Sequence, residues 1–248
     1  MGRTSCSQST VEPMKKLRID VWSDIACPWC HVGKRRLEGA LARFPHRDAV
    51  EVVWRAFELD PTAPRVIDLS VSYAARLAKK YGSSVADAEG MIERMTAVAR
   101  RDGLDCHRER IRPGNTFDAH RVLNLAAERG RQDAVKERFF RAYLSEGEAI
   151  GEPEVLVRLA AEAGLDPDEV RSTLASDAHA SDVRAEEDEA RELGIRGVPF
   201  FVLGGRYAVS GAQPEDLLLR ALAQAWSELE DEPPAIEEGA ACGPEGCG

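Results

Sequence analysis

Cys27 and Cys30 flank Pro28 and Trp29 in the stretch DIACPWCH, and His31 follows at once. Two thiols at this spacing could exchange a disulfide, supply half of a zinc site, carry a haem, or fill a core. Zinc takes four ligands and the pair offers two. The five histidines contain no H-x-x-x-H pair to complete the set. CPWCH also fits the covalent haem pattern C-x-x-C-H, but such attachment belongs to exported proteins, and no export signal is visible here. Inert core thiols gain nothing from the spacing, nor from a Pro-Trp pair that leaves the first sulfur open. Disulfide exchange uses all of these features.

That chemistry needs particular elements around it. KLRIDVW alternates apolar Leu17, Ile19 and Val21 with polar Arg18 and Asp20, the pattern of a strand. VEVVWRAFEL, residues 50 to 59, is a second strand, rich in Val and aromatics. Between them Cys30, Lys34, Leu37, Leu41 and Phe44 fall at helical spacing. The cysteines therefore lie at a strand-to-helix junction. At a helix start, unpaired amides and the macrodipole favour a thiolate at Cys27. Cys30, one turn further and more buried, is placed to attack a mixed disulfide and release the substrate. Asp24 could shape the turn or take part in proton transfer, and the turn role is expected. His31 could favour the thiolate if protonated, or lie on the surface. Trp29 should be partly exposed, packing against a client or covering the sulfurs.

The next stretch is helical. Ser84 and Asp87 form a capping-box pattern, Ala88, Met91, Met95 and Val98 make one apolar face, and Gly103 ends the helix. EPEVLVRLAAEAG starts at Pro153 and stops at Gly164, and DPDEVRSTL repeats the device with Asp166 and Pro167. TFDAHRVLNLAAERG and AVKERFFRAYLSEG are helical too. Strands return in PFFVLGGRYAVSG, a hairpin in which Gly204 and Gly205 supply a two-residue turn. Val198-Pro199 opens its first strand, so Pro199 marks an edge or a cis bend. A closing helix after Pro214 buries Leu217, Leu218, Ala221, Leu222, Ala225 and Trp226.

Taken together, the strand before CPWC, the helical segment inserted after the second strand, and GVPFFV before a hairpin resemble the DsbA family of the thioredoxin superfamily. SDIACPWCHVGKRRLE, NTFDAHRVLNLA, GVPFF and YAVSGAQ are similar to its FrnE-like branch. The resemblance covers about residues 17 to 229. It implies an α/β thioredoxin fold with a large all-helical insertion domain. Residues 17–65 and 181–229 would form the thioredoxin-like domain, 66–180 the insertion, 1–16 an N-terminal extension and 230–248 a flexible tail. It also implies a thiol–disulfide oxidoreductase with Cys27 as nucleophile, Cys30 as resolving thiol and Pro199 as the cis-proline beside them. Asn115, Phe117 and His120 of NTFDAHR are expected to line the groove between the lobes, with an ordinary polar contact inside the helical lobe as the plainer role of His120. The branch is also similar to glutathione-dependent 2-hydroxychromene-2-carboxylate isomerases, which have Ser at the place of Cys27.

The tail holds Cys242 and Cys247 in ACGPEGCG, residues that turn readily. They are read as a second redox pair; a thiol-based metal-binding or sensing role is the remaining alternative. Cys6 and Cys106 stand alone and are read as structural. The 248 residues carry 33 Lys and Arg against 43 Asp and Glu, a net charge of -10, which argues against a nucleic-acid partner. No apolar run spans a bilayer, and the first residues lack a secretory core, so a cytoplasmic location is expected. No bound cofactor or metal is expected. The partners expected are protein or small-molecule disulfides, with glutathione or another thiol as co-substrate.

Overall fold

The alternation of Leu17, Ile19 and Val21 becomes strand β1 (Leu17–Ser23), with all three side chains buried. A computed structural model describes residues 16–65 and 70–231. Helix α1 (Pro28–Arg43) begins at once, with Pro28 in its first turn and Cys27 as its N-cap residue. Strand β2 (Val50–Ala56) runs parallel to β1, Val21 facing Trp54. The chain returns to the sheet as β3 (Phe200–Leu203), antiparallel to β1, and β4 (Tyr207–Ser210), antiparallel to β3. The strand order is β2-β1-β3-β4, a mixed α/β sheet as the family resemblance implies.

Between β2 and β3 come α2 (Tyr73–Tyr81), α3 (Val85–Arg101), α4 (Phe117–Glu128), α5 (Gln132–Arg141), α6 (Pro153–Glu162), α7 (Pro167–Ala175) and α8 (Ala180–Glu192). Their starts follow the local signals. Ser84 and Asp87 close a reciprocal capping box on α3, and Asp166 accepts the amides of Asp168 and Glu169 ahead of α7. The buried face of α3 is Ala88, Ile92, Met95 and Ala99. It is rotated from the Met91 and Val98 expected, because α3 packs on both α1 and α2 and those two side chains lie at the margin of the contacts. The hairpin connection is also one residue longer than expected. Leu203 pairs with Tyr207, so Gly204, Gly205 and Arg206 lie between the strands, both glycines at positive φ.

Two apolar cores are the largest among the described residues. One lies between the sheet, α1 and α9 (Glu215–Asp231), around Leu17, Ile19, Phe201, Leu218 and Leu222. The other lies among α4 to α7, around Phe139, Phe140, Leu156 and Leu159, and reaches Ile25, Cys27 and Cys30. The two cysteines thus belong to the helical core although they sit on the sheet's own helix. The outer side of β2 is held by side chains from the helices. The Gln132 amide accepts from the Trp54 N–H and donates to the Trp54 carbonyl, both at 2.9 Å. Glu186 accepts the Ala56 N–H at 2.8 Å, and Glu187 that of Glu58 at 3.2 Å.

Candidate active site

The turn from β1 into α1 is built on Asp24. Its carbonyl accepts the Cys27 N–H at 3.1 Å, and the Cys27 carbonyl accepts the Cys30 N–H at 3.0 Å. Its carboxylate accepts the Ala26 amide at 3.2 Å and the Leu59 amide at 2.8 Å. His120 Nε2 lies 3.6 Å from Asp24 Oδ1, too long for a good hydrogen bond but close enough for a charge contact. Burial alone would raise the Asp24 carboxyl; His120 and the two amides outweigh it and hold it below its ordinary value. Asp24 therefore shapes the turn. His120 contacts this turn, not a partner within its own lobe, a pairing that a separation of 96 residues hides from sequence reasoning.

Cys27 and Cys30 are both free thiols. Cys27 is 5% exposed and Cys30 fully buried, so the first sulfur is less open than its Pro-Trp neighbours suggest. Cys27 Sγ donates to the Val198 carbonyl at 3.6 Å, and the Val198-Pro199 bond is cis. Burial pushes the Cys30 thiol well above its ordinary value; the neighbouring Cys27 adds to this, and Lys136 opposes it. Trp29 is 41% exposed, as its place between the cysteines predicts. His31 is no surface residue. Its ring stacks on Phe140 at 4.9 Å and Nε2 meets Glu137 Oε1 at 3.3 Å, because α1 is covered on that side by α5.

A cavity of about 870 Å³ opens over Cys27, Pro28 and Trp29. Its far wall is Tyr73, Leu77 and Tyr81 of α2 with Met91, Ile92 and Met95 of α3. The segment before α4 contributes Gly114 and Thr116 to the wall, while its expected members turn elsewhere. Asn115 bonds Glu58 Oε1 at 3.1 Å and caps the Phe117 amide at 2.9 Å; the Phe117 ring lies under the Arg184 guanidinium at 4.2 Å; His120 is buried against Asp24. Burial brings the Tyr73 hydroxyl on this wall up to about 12. Cys106 is half-buried beside a separate, smaller cavity, its thiol pushed up to about 11 by burial and then Asp105. Among the described residues no group of three or more His, Cys, Asp or Glu is placed to hold a metal, and no helix is long and apolar enough to cross a membrane. Cys6, Cys242 and Cys247 lie outside the described residues.

A thioredoxin-type sheet, a C-x-x-C pair at the start of its first helix and a cis-proline against the first sulfur define a thiol–disulfide oxidoreductase. The chain belongs to the DSBA-like thioredoxin domain family, whose pattern it matches over residues 18–223. It is 48% identical to a crystal structure described as a probable DsbA oxidoreductase from Streptomyces coelicolor, with a TM-score of 0.83 over 94% of this chain and 98% of that one. The uncharacterized protein YwbO of Bacillus subtilis is 28% identical over 211 residues, 83% of this chain and 96% of its own. The cytosolic disulfide reductase DsbM from Pseudomonas aeruginosa, with GSH, shares the fold at a TM-score of 0.57 and 18% identity, over 86% of this chain and 98% of that one.

Proposed function

We propose that the protein is a FrnE-like dithiol oxidoreductase acting in the cytoplasm on protein or small-molecule disulfides, in defence against oxidants or repair of wrong disulfides. The Cys27 thiolate attacks a substrate disulfide RSSR′, forming Cys27–S–S–R and releasing R′S⁻. The Cys30 sulfur then attacks Cys27, closing the Cys27–Cys30 disulfide and releasing RS⁻. Two electrons pass from the dithiol to the substrate, and glutathione or another thiol restores the dithiol. The observation that carries this reading is the placement of the two sulfurs. Cys27 lines the cavity, and Cys30 lies one helical turn behind it without exposure.

A glutathione-dependent isomerisation of an aromatic small molecule is the second reading. Trp29, Tyr73 and Tyr81 on the cavity wall favour it, but it leaves the second thiol without a use. Insulin reduction separates the two. Wild type should reduce insulin, Cys27→Ser should not, and Cys30→Ser should accumulate a mixed disulfide on Cys27. Turnover that survives Cys27→Ser would overturn the assignment. Cys242 and Cys247 are proposed as a second dithiol exchanging with the first; multiple-turnover insulin reduction by the double serine variant should then be slower than wild type, and an equal rate would remove the tail pair from the cycle.

A further inference from the structure

Helix α2 brings three cations to the cavity over Cys27. Arg76, Lys79 and Lys80 all line it. Among the described residues none of the three has a carboxylate within 4.0 Å, in a chain whose net charge is -10. Arg76 is half-buried; its Nε donates to the Val71 carbonyl at 3.1 Å, and one terminal nitrogen is buried with no partner. Lys79 and Lys80 are exposed. Lys80 Nζ donates to the Leu59 carbonyl at 3.4 Å, and the Leu59 amide is held by Asp24 in the turn that places Cys27. One residue thus links this ammonium to the active-site turn. The acids of the same lining are committed. Asp24 accepts the Ala26 and Leu59 amides and faces His120, and Asp60 accepts the Thr62 amide at 3.2 Å and its hydroxyl at 2.8 Å. The wall keeps three cations against these two acids, and charge of one sign in a concave site concentrates ligands of the other.

The cavity also carries hydroxyls with nothing in the protein to donate to. Tyr143, in the π-helical turn Ala142–Glu146 that follows α5, and Thr116, at the N-cap of α4, are each 3% exposed and line the cavity. Among the described residues neither side-chain hydroxyl has a hydrogen-bond partner, and nor does that of Tyr73 on α2. Burial raises both phenols, Tyr73 up to about 12, so they stay protonated as donors. A buried hydroxyl left without a partner costs stability. Hydroxyl donors beside guanidinium and ammonium groups suit a ligand group that is at once an acceptor and an anion, as a carboxylate is.

We propose that this cavity selects low-molecular-weight disulfides that carry carboxylates, Arg76, Lys79 and Lys80 attracting the charge and the Tyr143, Thr116 and Tyr73 hydroxyls donating to it. The inference rests on Cys27 and Cys30 as the reacting dithiol and names the substrate class of that site. Size points the same way. Cys27 is only 5% exposed, and the cavity of about 870 Å³ over it falls in the range of small-molecule sites, about 300–1,000 Å³. A small disulfide fits inside, whereas the disulfide of a folded protein would have to enter to meet the sulfur. In the reaction the Cys27–Cys30 bond forms and the S–S bond of RSSR breaks. Two electrons and the two thiol protons pass to the substrate, which leaves as two RSH.

Three symmetrical disulfides of similar length test the selection. Dithiodipropionate carries two carboxylates, bis(2-hydroxyethyl) disulfide no charge, and cystamine two ammonium groups. The reduced protein is mixed with an excess of each and quenched in acid, and loss of the Cys27 and Cys30 thiols is read by alkylation and mass spectrometry. Each rate is divided by that disulfide's rate with dithiothreitol, which removes intrinsic reactivity. The quotient for dithiodipropionate should exceed that for the hydroxyethyl compound by about tenfold, since an exposed charge pair contributes up to about fivefold, and cystamine should fall lowest. Lys79→Gln/Lys80→Gln should lower the ratio of the first two quotients by about fivefold. Tyr143→Phe, which changes no charge, should lower it by about threefold. Arg101→Gln/Arg220→Gln removes two exposed cations outside the cavity lining and should leave the ratio in place; a fall equal to that of the lysine pair would mark a general effect of net charge and overturn the proposal. Equal quotients for the three disulfides, or a preference for cystamine, overturn it as well. So does a preference for dithiodipropionate that survives both the lysine and the tyrosine substitutions. Failure of all three disulfides to consume the Cys27 thiol would instead overturn the dithiol reading on which the proposal stands.

Discussion

Replacing Gly33 by alanine measures how closely α1 must approach the cis-proline segment. A Cβ at Gly33 would lie 2.8 Å from Pro199 Cγ and 3.2 Å from Phe201 Cζ. Ordinary carbon contacts are about 3.5–4.0 Å, so α1 or the proline loop must yield by about 0.7–1.2 Å at the tighter contact. Both neighbours are ring atoms, and Phe201 is fully buried, so neither can swing aside. Overpacking of this kind costs about 1–3 kcal/mol. Alanine returns about 0.8–1.0 kcal/mol in helix propensity, which would mask part of the loss. Gly90→Ala is the control, because there the added Cβ meets only the mobile end of Arg94 at 3.4 Å. The propensity gain is common to both variants, so their difference in unfolding free energy isolates the clash at about 1–3 kcal/mol. Urea unfolding at unchanged m-value reads it. Gly33→Ala should also slow insulin reduction, since it shifts Cys27 against the Val198 carbonyl. Stabilities of the two variants agreeing within about 0.5 kcal/mol would refute the close approach.

Iodoacetamide should modify Cys27 in Cys30→Ser far faster than Cys30 in Cys27→Ser, because only Cys27 faces the cavity and burial keeps Cys30 protonated; equal rates would contradict the placement of the sulfurs. Acid stability tests the cluster around Glu137. Burial would raise this carboxyl, but the His31 hydrogen bond, Lys34 and Arg35 hold it far below the ordinary carboxylate range. A carboxyl depressed in the folded state contributes stability above its unfolded value of about 4.3 and loses it as pH falls toward the folded value. Glu137→Gln should therefore flatten the decline of stability below about pH 4.3, as followed by circular dichroism, and an unchanged slope would remove the cluster from the account.

The features carried by local chemistry were readable from the chain. Alternation marked β1, Ser84 and Asp87 marked the start of α3, and Pro153 and Pro167 marked helix starts; Pro199 at the mouth of a strand left an edge and a cis bend open, and the family resemblance pointed to the cis bond that is found. What escaped notice depends on contacts made across the chain. KERFF lies in a stretch read as helical, and nothing local marks Lys136 as buried; its acceptor is the Ser23 carbonyl, 113 residues earlier. His31 could by local sequence face the sulfurs or the solvent; α5 covers it and turns its ring to Phe140 and Glu137. Asn115, Phe117 and His120 share a motif but are drawn to three separate partners, while their neighbours Gly114 and Thr116 reach the cavity. Hydropathy periodicity records which side chains avoid water. It carries no record of which polar groups find a buried partner.

The clamp on β2 bears on solubility. A strand at the margin of a sheet offers its outward amides and carbonyls to any extended polypeptide, and so can template aggregation. Protein disulfides, proposed above among the substrates, would reach the enzyme on extended chains. On β2 the Trp54 amide and carbonyl and the Ala56 amide, with that of Glu58 just beyond the strand, are already occupied by Gln132, Glu186 and Glu187. Helices α5 and α8 thus act as a selvedge on that side of the sheet. On the proposed function, an extended client at the cysteines finds no free β2 amides at these positions to pair with.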